Sequence, residues 1–224
     1  MNEQKVFLFK NTEYYFEEDF CISSSNKNVF DFLKNYPKWP SKLINIYGPK
    51  YSGKTHLLNI FKKKENLKLI DYKILKKNKN IEEYLNLKFL IIDNFNDEVI
   101  DERLIFTLIN NFLNANNYLI IASRTPLLDY KILLKDLKSR INIFDIKKID
   151  QPGDDLIYTL VTKFFSDRQV SIEKDLITYI VRMIGRSYEN IFSFVNEFDN
   201  FVLSNKKKIS KKSINEFLKK TKSE

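Results

Sequence analysis

The sequence contains very little cysteine, histidine, glycine and proline. Its 224 residues include one cysteine, Cys21, and one histidine, His56. An internal disulfide is therefore excluded, as is a metal site built from several histidines. One cysteine and one histidine also leave little room for a zinc site or a Cys–His nucleophile pair. The 4 glycines and 5 prolines form no linker rich in these residues.

Long apolar runs are absent as well. No run approaches the roughly 20 residues that span a bilayer, and the N-terminus lacks a basic segment followed by a long apolar one. We therefore expect a cytoplasmic protein that does not enter a membrane. With 43% hydrophobic and 30% charged residues, the composition is globular. The length suits one domain with an appendage or two small domains.

The net charge of +9 comes almost entirely from lysine. The chain has 38 basic residues, of which only six are arginine. Lysine, asparagine, isoleucine, phenylalanine and tyrosine are all abundant, as in proteins from A/T-rich genomes, so the charge is weak evidence for a nucleic-acid partner. Positions that keep arginine in such a chain deserve inspection, because a planar guanidinium cannot be replaced by a point charge.

Short apolar runs alternate with helical patterns up to about residue 150. The runs, which predict strands, lie at 43–47, 67–72, 89–93, 118–122 and 141–146. The helical patterns around and between them lie at 29–36, 54–64, 80–86, 101–114 and 131–138. Uninterrupted apolar strands that alternate with helices predict an α/β fold with a parallel sheet of five strands.

The pattern changes after residue 150, where the strand signal ends. Four amphipathic helices are predicted at 153–168, 171–184, 187–204 and 210–220. We therefore predict three parts: an extended segment at 1–10, an α/β domain at 11–150 and an all-α subdomain at 151–224.

A phosphate-binding motif follows the first predicted strand. Gly48-Pro49-Lys50-Tyr51-Ser52-Gly53-Lys54-Thr55 fits the P-loop pattern between a strand and a helix. In such a loop, backbone N–H groups and the positive end of the helix dipole hold phosphates. Lys54 would reach the β and γ phosphates, and the Thr55 hydroxyl would bind Mg²⁺.

A second part of a P-loop site ends a later strand. Four apolar residues lead into Asp93, whose carboxylate is the expected partner for Mg²⁺. Many such ATPases carry a second acid at the next position, but here it is Asn94, which cannot act as a base. Hydrolysis by this chain alone is therefore expected to be slow.

These residues and their context resemble the DnaA-related family of AAA+ P-loop NTPases, and most closely its shorter Hda type. Lys54-Thr55-His56-Leu57-Leu58 is similar to the family's K-T-H-L-L signature. Trp39-Pro40 and the strand that ends in Gly48-Pro49 are similar to a stretch of alphaproteobacterial Hda proteins. The resemblance covers roughly residues 4–220. It implies an AAA+ α/β domain with a helical lid, and ADP or ATP with Mg²⁺ as ligands.

The resemblance also implies roles for particular residues. Arg140, in a stretch similar to the family's D-L-x-S-R-L element, would be an arginine finger that acts in trans. Phe16, Phe20 and Asn26 belong to a segment similar to the one that runs over the nucleotide base in the family, and would contact the base. The implied nucleotide-binding residues are Gly48, Pro49, Tyr51, Ser52, Gly53, Lys54, Thr55, His56, Asp93, Ser123 and Arg186.

The chain departs from the family pattern at three positions. Asn94 replaces the second acid, and Ser123 stands where DnaA proteins carry an aspartate. The sensor II arginine is either Arg186 or missing, because one alignment places Glu189 at that position. These changes weaken hydrolysis in cis but leave the phosphate loop intact.

Two features of the chain's ends favour the Hda type. Gln4, Phe7, Leu8 and Phe9 lie in a segment that resembles a sliding-clamp binding peptide, although an ordinary first strand would also explain it. DnaA initiators continue into a helix-turn-helix domain, whereas this sequence ends at Glu224, so sequence-specific duplex DNA binding is not expected.

The leading hypothesis is therefore a regulator of replication initiation. It would bind a nucleotide and the DNA polymerase sliding clamp, and would stimulate ATP hydrolysis by DnaA through Arg140. A helicase loader or initiator-like ATPase on single-stranded DNA is the first alternative, and a small-molecule kinase is the second. Whether the chain has robust enzymatic activity, and whether it forms a homodimer, is open at this point.

Overall fold

The computed structural model describes residues 15–78, 81–95, 100–205 and 208–221. The five strands in these ranges are β1 (Leu43–Tyr47), β2 (Lys68–Asp71), β3 (Phe89–Phe95), β4 (Tyr118–Ser123) and β5 (Asp145–Lys148). The helices are α1 (Lys27–Lys34), α2 (Lys54–Glu65), α3 (Tyr72–Lys77), α4 (Glu82–Leu85), α5 (Glu102–Asn114), α6 (Lys135–Ile141), α7 (Asp154–Asp167), α8 (Lys174–Ile184), α9 (Tyr188–Ser204) and α10 (Lys211–Thr221).

The strands form one parallel sheet in the order β2-β3-β4-β1-β5. The carboxyl ends of parallel strands meet at one edge of the sheet, which is where open α/β sheets bind ligands. The loop after β1 and the last residues of β2, β3 and β4 therefore converge. The residues that carried the sequence motifs lie in this region.

The two faces of the sheet pack into separate apolar clusters because successive strand side chains point to opposite sides. Leu43, Leu119 and Ile121 belong to a cluster with α5 and α6. Ile44 and Ile120 belong to another, with α1 and α2. Helices cover both faces, which explains why the central strands are uninterrupted apolar runs.

Helices α7 to α10 form a third apolar cluster that the sheet does not share. Its centre contains the rings of Phe164, Phe194, Phe198 and Phe217. The predicted α/β fold with a helical C-terminal part is confirmed. The predicted boundary near residue 150 lies between β5 and α7, and the predicted segment 1–10 lies outside the described residues.

The predicted position of the last strand is wrong at its start. Ile141 ends α6 and Phe144 lies in the turn that follows, so β5 begins only at Asp145. Both apolar side chains are buried, but in contact with the first cluster rather than within a strand. The strand predicted at 67–72 is also too long. β2 ends at Asp71, and Tyr72 begins α3, a helix that the pattern did not predict.

In the ranges that the structure describes, no helix combines the length and the apolar character that crossing a bilayer requires.

Candidate nucleotide-binding site

The phosphate loop connects β1, which lies between β4 and β5, to the N-terminus of α2. Gly53 precedes α2 with φ +84°, in the left-handed region that favours glycine. Gly48 is required for a different reason. A Cβ on Gly48 would lie 2.8 Å from the carbonyl oxygen of Ile149 and 2.9 Å from its Cβ. The first glycine of the motif therefore allows close packing of the loop against the chain that follows β5.

The Lys54 side chain folds back into the loop and is 9% exposed. Its ammonium donates to the carbonyl oxygens of Gly48 and Pro49, each at 2.7 Å, and to Ser52 Oγ at 3.2 Å. Burial lowers the pKa of Lys54 to about 8, Asp93 opposes this change, and Arg124 adds to it. The loop thus holds a buried cation among weak oxygen acceptors. A phosphate would be a stronger partner of the same kind.

Asp93 lies at the carboxyl end of β3 and is 2% exposed. It accepts hydrogen bonds from the Thr55 hydroxyl and, at 2.8 Å, from the backbone N–H of Asn94. Burial raises the pKa of the Asp93 carboxyl, and these hydrogen bonds and Lys54 reduce the effect. The two residues predicted to bind Mg²⁺ are therefore in direct contact.

The oxygen donors of Thr55 and Asp93 fit Mg²⁺, which prefers hard oxygen ligands and commonly takes one or two from the protein. Over the described part of the chain, no group of three His, Cys, Asp or Glu side chains is arranged to hold a metal. Protein ligands alone would therefore not complete a metal site here. A Mg²⁺ ion would depend on phosphate oxygens and water for its remaining ligands.

An open cleft of about 540 Å³ surrounds these groups. That volume suits a small-molecule ligand. Its lining consists of Tyr15, Lys50, Tyr51, Ser52, Gly53, Lys54, Thr55, His56, Asn94, Arg124 and Phe192. Six of these residues were predicted as nucleotide-binding from the motif. Tyr15 begins the segment predicted to run over the nucleotide base but was not itself predicted to contact it, and no local motif marks Phe192.

Ser123, also predicted to bind nucleotide, is not among the residues that line this cleft; it ends β4 and is fully buried. Its hydroxyl accepts from Asn45 Nδ2 at 2.9 Å and donates to the carbonyl oxygen of Thr125 at 2.6 Å. The next residue, Arg124, lines the cleft instead.

The segment before α1 approaches the phosphate loop through two of the three residues predicted to contact the base. The Phe16 carbonyl lies 2.9 Å from His56 Nε2, and because a carbonyl only accepts, that nitrogen carries the proton. The Phe20 ring lies edge-on to His56 and 3.1 Å from the position of a Cβ on Gly53. Asn26 is buried. Its side-chain amide accepts a hydrogen bond from the backbone N–H of Ser23 and donates one to the Cys21 carbonyl, which holds the turn before α1.

An aromatic stack joins the phosphate loop to the helical subdomain. The rings of Tyr51 and Phe192 are parallel within 6°, with centroids 3.8 Å apart. Tyr51 has φ +63°, and the Lys50 ammonium lies 4.6 Å from its ring centroid. Phe192 lies on α9, so this stack brings a lid helix onto the rim of the cleft.

The two predicted arginines lie outside the cleft lining. Arg186 forms a two-point ion pair with Asp154, with contacts of 2.9 and 3.0 Å, in an exposed position. Arg140 lies on α6 between the buried residues Leu137 and Ile141. The roles assigned to these arginines stay predictions, as do those of Gln4, Phe7, Leu8 and Phe9, which lie outside the described residues.

Comparisons with known proteins relate the chain to replication initiators. No protein-family model matches it. It is 25% identical to the chromosomal replication initiator protein DnaA of Thermoanaerobacter sp. (strain X514), over 92% of this chain and 52% of that protein. It is 26% identical to DnaA of Caldanaerobacter subterraneus subsp. tengcongensis, over 82% of this chain and 46% of that protein. The chain thus spans about half the length of the curated relatives it matches.

Solved structures give the same fold. Domain III of Thermotoga maritima DnaA superposes with a TM-score of 0.71 at 14% identity, covering 91% of this chain and 95% of that one. DnaA of Aquifex aeolicus bound to AMPPCP gives 0.64 at 20% identity, covering 83% and 65%. A RuvB variant of Thermotoga maritima gives 0.62 at 16%, covering 87% and 67%. The fold is therefore the one found in domain III of DnaA and in RuvB, a five-stranded parallel sheet of the AAA+ P-loop type with a helical lid.

Proposed function

We propose that this chain binds ADP or ATP with Mg²⁺ and regulates the initiation of chromosome replication. The observation that carries the proposal is the state of its nucleotide site. Lys54, Thr55 and Asp93, to which we assign the binding of phosphate and Mg²⁺, lie close together, whereas Asn94 occupies the position of the second acid. Such a site is built to hold a nucleotide tightly and to turn it over slowly.

A protein of this kind can control hydrolysis in a partner. We assign that role to Arg140, offered in trans to the γ-phosphate of ATP-bound DnaA. Arg140 is half-buried on α6, and no described side chain forms an ion pair with it. Its backbone carbonyl accepts from the N–H of Ile143, an apolar residue that is 46% exposed. An arginine next to an exposed apolar side chain suits a contact with another protein.

The proposed link to replicating DNA is the sliding clamp. Gln4, Phe7, Leu8 and Phe9 provide one polar group and several apolar anchors, the pattern of a peptide that inserts side chains into pockets of a partner. Replacement of Gln4, Phe7 and Phe9 by alanine is expected to abolish retention on clamp resin and leave the melting temperature unchanged. Retention equal to wild type would contradict this assignment.

The experiment that tests the function is ATP hydrolysis by DnaA, measured with and without this protein and with clamp loaded on DNA. We expect hydrolysis to accelerate only when both additions are present. Lys54→Ala serves as the variant that cannot hold a nucleotide, because the phosphates lose their point charge. Unchanged DnaA hydrolysis in the complete mixture would contradict the regulator assignment.

A second candidate is an initiator-like ATPase that acts on single-stranded DNA. It is favoured by the likeness to a DnaA bound to AMPPCP and single-stranded DNA, which has a TM-score of 0.64 at 18% identity. ATP-dependent binding of labelled single strands by this chain, without any effect on DnaA, would select this candidate over the first.

A further inference from the structure

Asn94 is joined to a carboxylate on the neighbouring strand. Asp71 ends β2 and pairs in register with Asp93 of β3, the residue just before Asn94. Asn94 Nδ2 donates to Asp71 Oδ2 at 2.8 Å. The other carboxylate oxygen, Oδ1, accepts from the backbone N–H of Lys73 at 2.8 Å and caps α3. Both oxygens of Asp71 are therefore already engaged.

This bond fixes the direction of the Asn94 amide. An ionised carboxylate only accepts hydrogen bonds, so the amide nitrogen must face Asp71 and the carbonyl oxygen must face away. The same reasoning holds however the amide is drawn, because the reverse orientation would place two acceptors together. No described residue donates to Asn94 Oδ1, which leaves this acceptor available.

The backbone directs Asn94 into the cleft. Asn94 has φ +55°, and the pairing of β3 with β4 is irregular between Ile92 and Phe95. As a result, Asn94 is exposed while Asp93 and Phe95 on either side are buried. Asn94 lines the same cleft as Lys54 and Thr55. Asn94, with its free acceptor, is thus part of the wall of the cleft to which we assign the nucleotide.

We propose that Asn94 Oδ1 positions the water that attacks ATP in this chain's own cleft, and that Asp71 is the residue that orients it. The inference rests on the nucleotide binding of the proposed function. The water oxygen attacks the γ-phosphorus, the bond from the γ-phosphorus to the bridging oxygen breaks, and the water proton passes to a γ-phosphate oxygen. The products are ADP and inorganic phosphate. An amide can align a water without accepting its proton, as glutamine does in some GTPases.

With this arrangement the chain hydrolyses ATP slowly, although it lacks the second acid. Intrinsic rates of amide-positioned hydrolysis are on the order of 10⁻⁴ to 10⁻² s⁻¹. The chain would therefore convert its own ATP to ADP over minutes to hours. Asp71 is a positioning residue here, since both of its oxygens are occupied and it reaches the water only through Asn94.

The test is single-turnover ATP hydrolysis by the isolated full chain, with Lys54→Ala as background. Asp71→Asn and Asp71→Ser keep a residue that caps α3 but no longer dictate the amide direction. We expect both variants, and Asn94→Ala, to hydrolyse ATP at least about tenfold more slowly, with affinity for fluorescent ADP within about twofold of wild type. The exchange variant Asp71→Asn/Asn94→Asp places an oriented carboxylate in the cleft and is expected to restore or exceed the wild-type rate.

A second readout does not depend on turnover. In the nucleotide-free protein, proton exchange of the Asn94 side-chain amide, followed by ¹⁵N NMR, should be slow in wild type and fast in Asp71→Ser. Asn94→Asp identifies the signal by removing it. Equal exchange in wild type and Asp71→Ser would overturn the orienting bond.

The hydrolysis results separate this inference from the function it rests on. Wild-type hydrolysis in Asp71→Asn, or an exchange variant as slow as the single variants, would show that Asp71 only caps α3. Wild-type hydrolysis no faster than Lys54→Ala, with ADP still bound, would overturn the water-positioning role alone. Failure of the wild type to bind ADP would overturn the proposed function itself.

Discussion

The nucleotide affinity of this chain is expected to fall as the pH rises above about 8. Burial lowers the pKa of Lys54 from its usual 10.5 to about 8. The charged ammonium is the form that attracts phosphate oxygens, and a bound polyphosphate in turn favours that form. Nucleotide binding above this pH therefore requires that Lys54 take up a proton.

The magnitude follows from that pKa. Each pH unit above it reduces the charged fraction of Lys54 in the free protein about tenfold. The affinity should therefore fall about tenfold per unit above pH 8, and about a hundredfold between pH 7 and pH 10. ADP titrations over this range would measure the slope, and calorimetry at pH 9 in two buffers of different ionisation enthalpy would count the proton.

The stability of the nucleotide-free protein should change in the opposite direction. The folded-state pKa of about 8 lies below the unfolded value of 10.5. Below pH 8 Lys54 is charged in both states, so the whole free-energy cost of burying its charge is present. That cost, roughly 3 kcal/mol by linkage, is relieved as the pH rises through this interval. As the pH rises, the affinity for nucleotide should weaken while the contribution of Lys54 to stability improves. This combination is typical of a buried lysine.

The control is Lys54→Arg, whose guanidinium stays charged throughout this pH range. Its affinity for ADP, whatever its level, should not depend on pH between 7 and 10. A wild-type affinity that is constant over the same range, or the absence of proton uptake at pH 9, would refute the assignment of a lowered pKa to Lys54.

Three further predictions concern the framework of the site. Phe192→Ala removes the stack on the phosphate loop and should speed ADP release about 2- to 10-fold in stopped-flow measurements, in line with a stacking energy of roughly 0.5–1.5 kcal/mol, whereas unchanged release would exclude a role for the stack. Gly48→Ala forces a Cβ against Ile149 and should lower the free energy of unfolding by about 1–3 kcal/mol in urea titrations. Gly153→Ala is its control and should cost less, because the nearest atom belongs to a flexible side chain. Asn45→Ala should cost roughly 2–4 kcal/mol in the same titrations, because it removes the hydrogen bonds of the Asn45 amide to three buried polar groups; a smaller loss would show that water replaces the amide.

The sequence predicts the central part of the fold well, for a physical reason. Strands β1, β3 and β4 are covered by helices on both faces, so their apolar runs are uninterrupted and hard to mistake. The edge strand β5 carries Asp145, Lys147 and Lys148 around a single Ile146, and only one of its faces is covered. The apolar residues at the end of α6 and in the turn after it resemble a buried strand more closely than β5 does.

Helix α3 escaped prediction because its signal is short. Only Tyr72 and Leu75 are buried in this helix of six residues, and Lys76 and Lys77 in its last turn read as a loop. The cap that starts the helix is the side chain of Asp71, which the pattern assigned to a strand. A residue with two structural roles is not visible in periodicity.

The candidate site likewise has one part that the sequence predicts and one part that it does not. The groups that we propose to contact phosphates lie close together in the sequence, so a motif predicts them. The stack of Tyr51 on Phe192 and the bond of Asp71 to Asn94 join residues that are distant along the chain. The sequence showed that Asn94 is not an acid, but its partner became visible only when β2 and β3 were paired.

An arginine finger that acts in trans is tested most directly by measuring DnaA ATP hydrolysis in the presence of loaded clamp and the Arg140→Ala variant. We expect stimulation to fall by about 10³ or more, Arg140→Lys not to restore it, and ADP affinity and clamp binding to stay at wild-type levels. Arg182→Ala, which removes an exposed arginine from α8, is the control and should stimulate fully. Full stimulation by Arg140→Ala, or loss of its own nucleotide, would contradict an arginine finger that acts in trans.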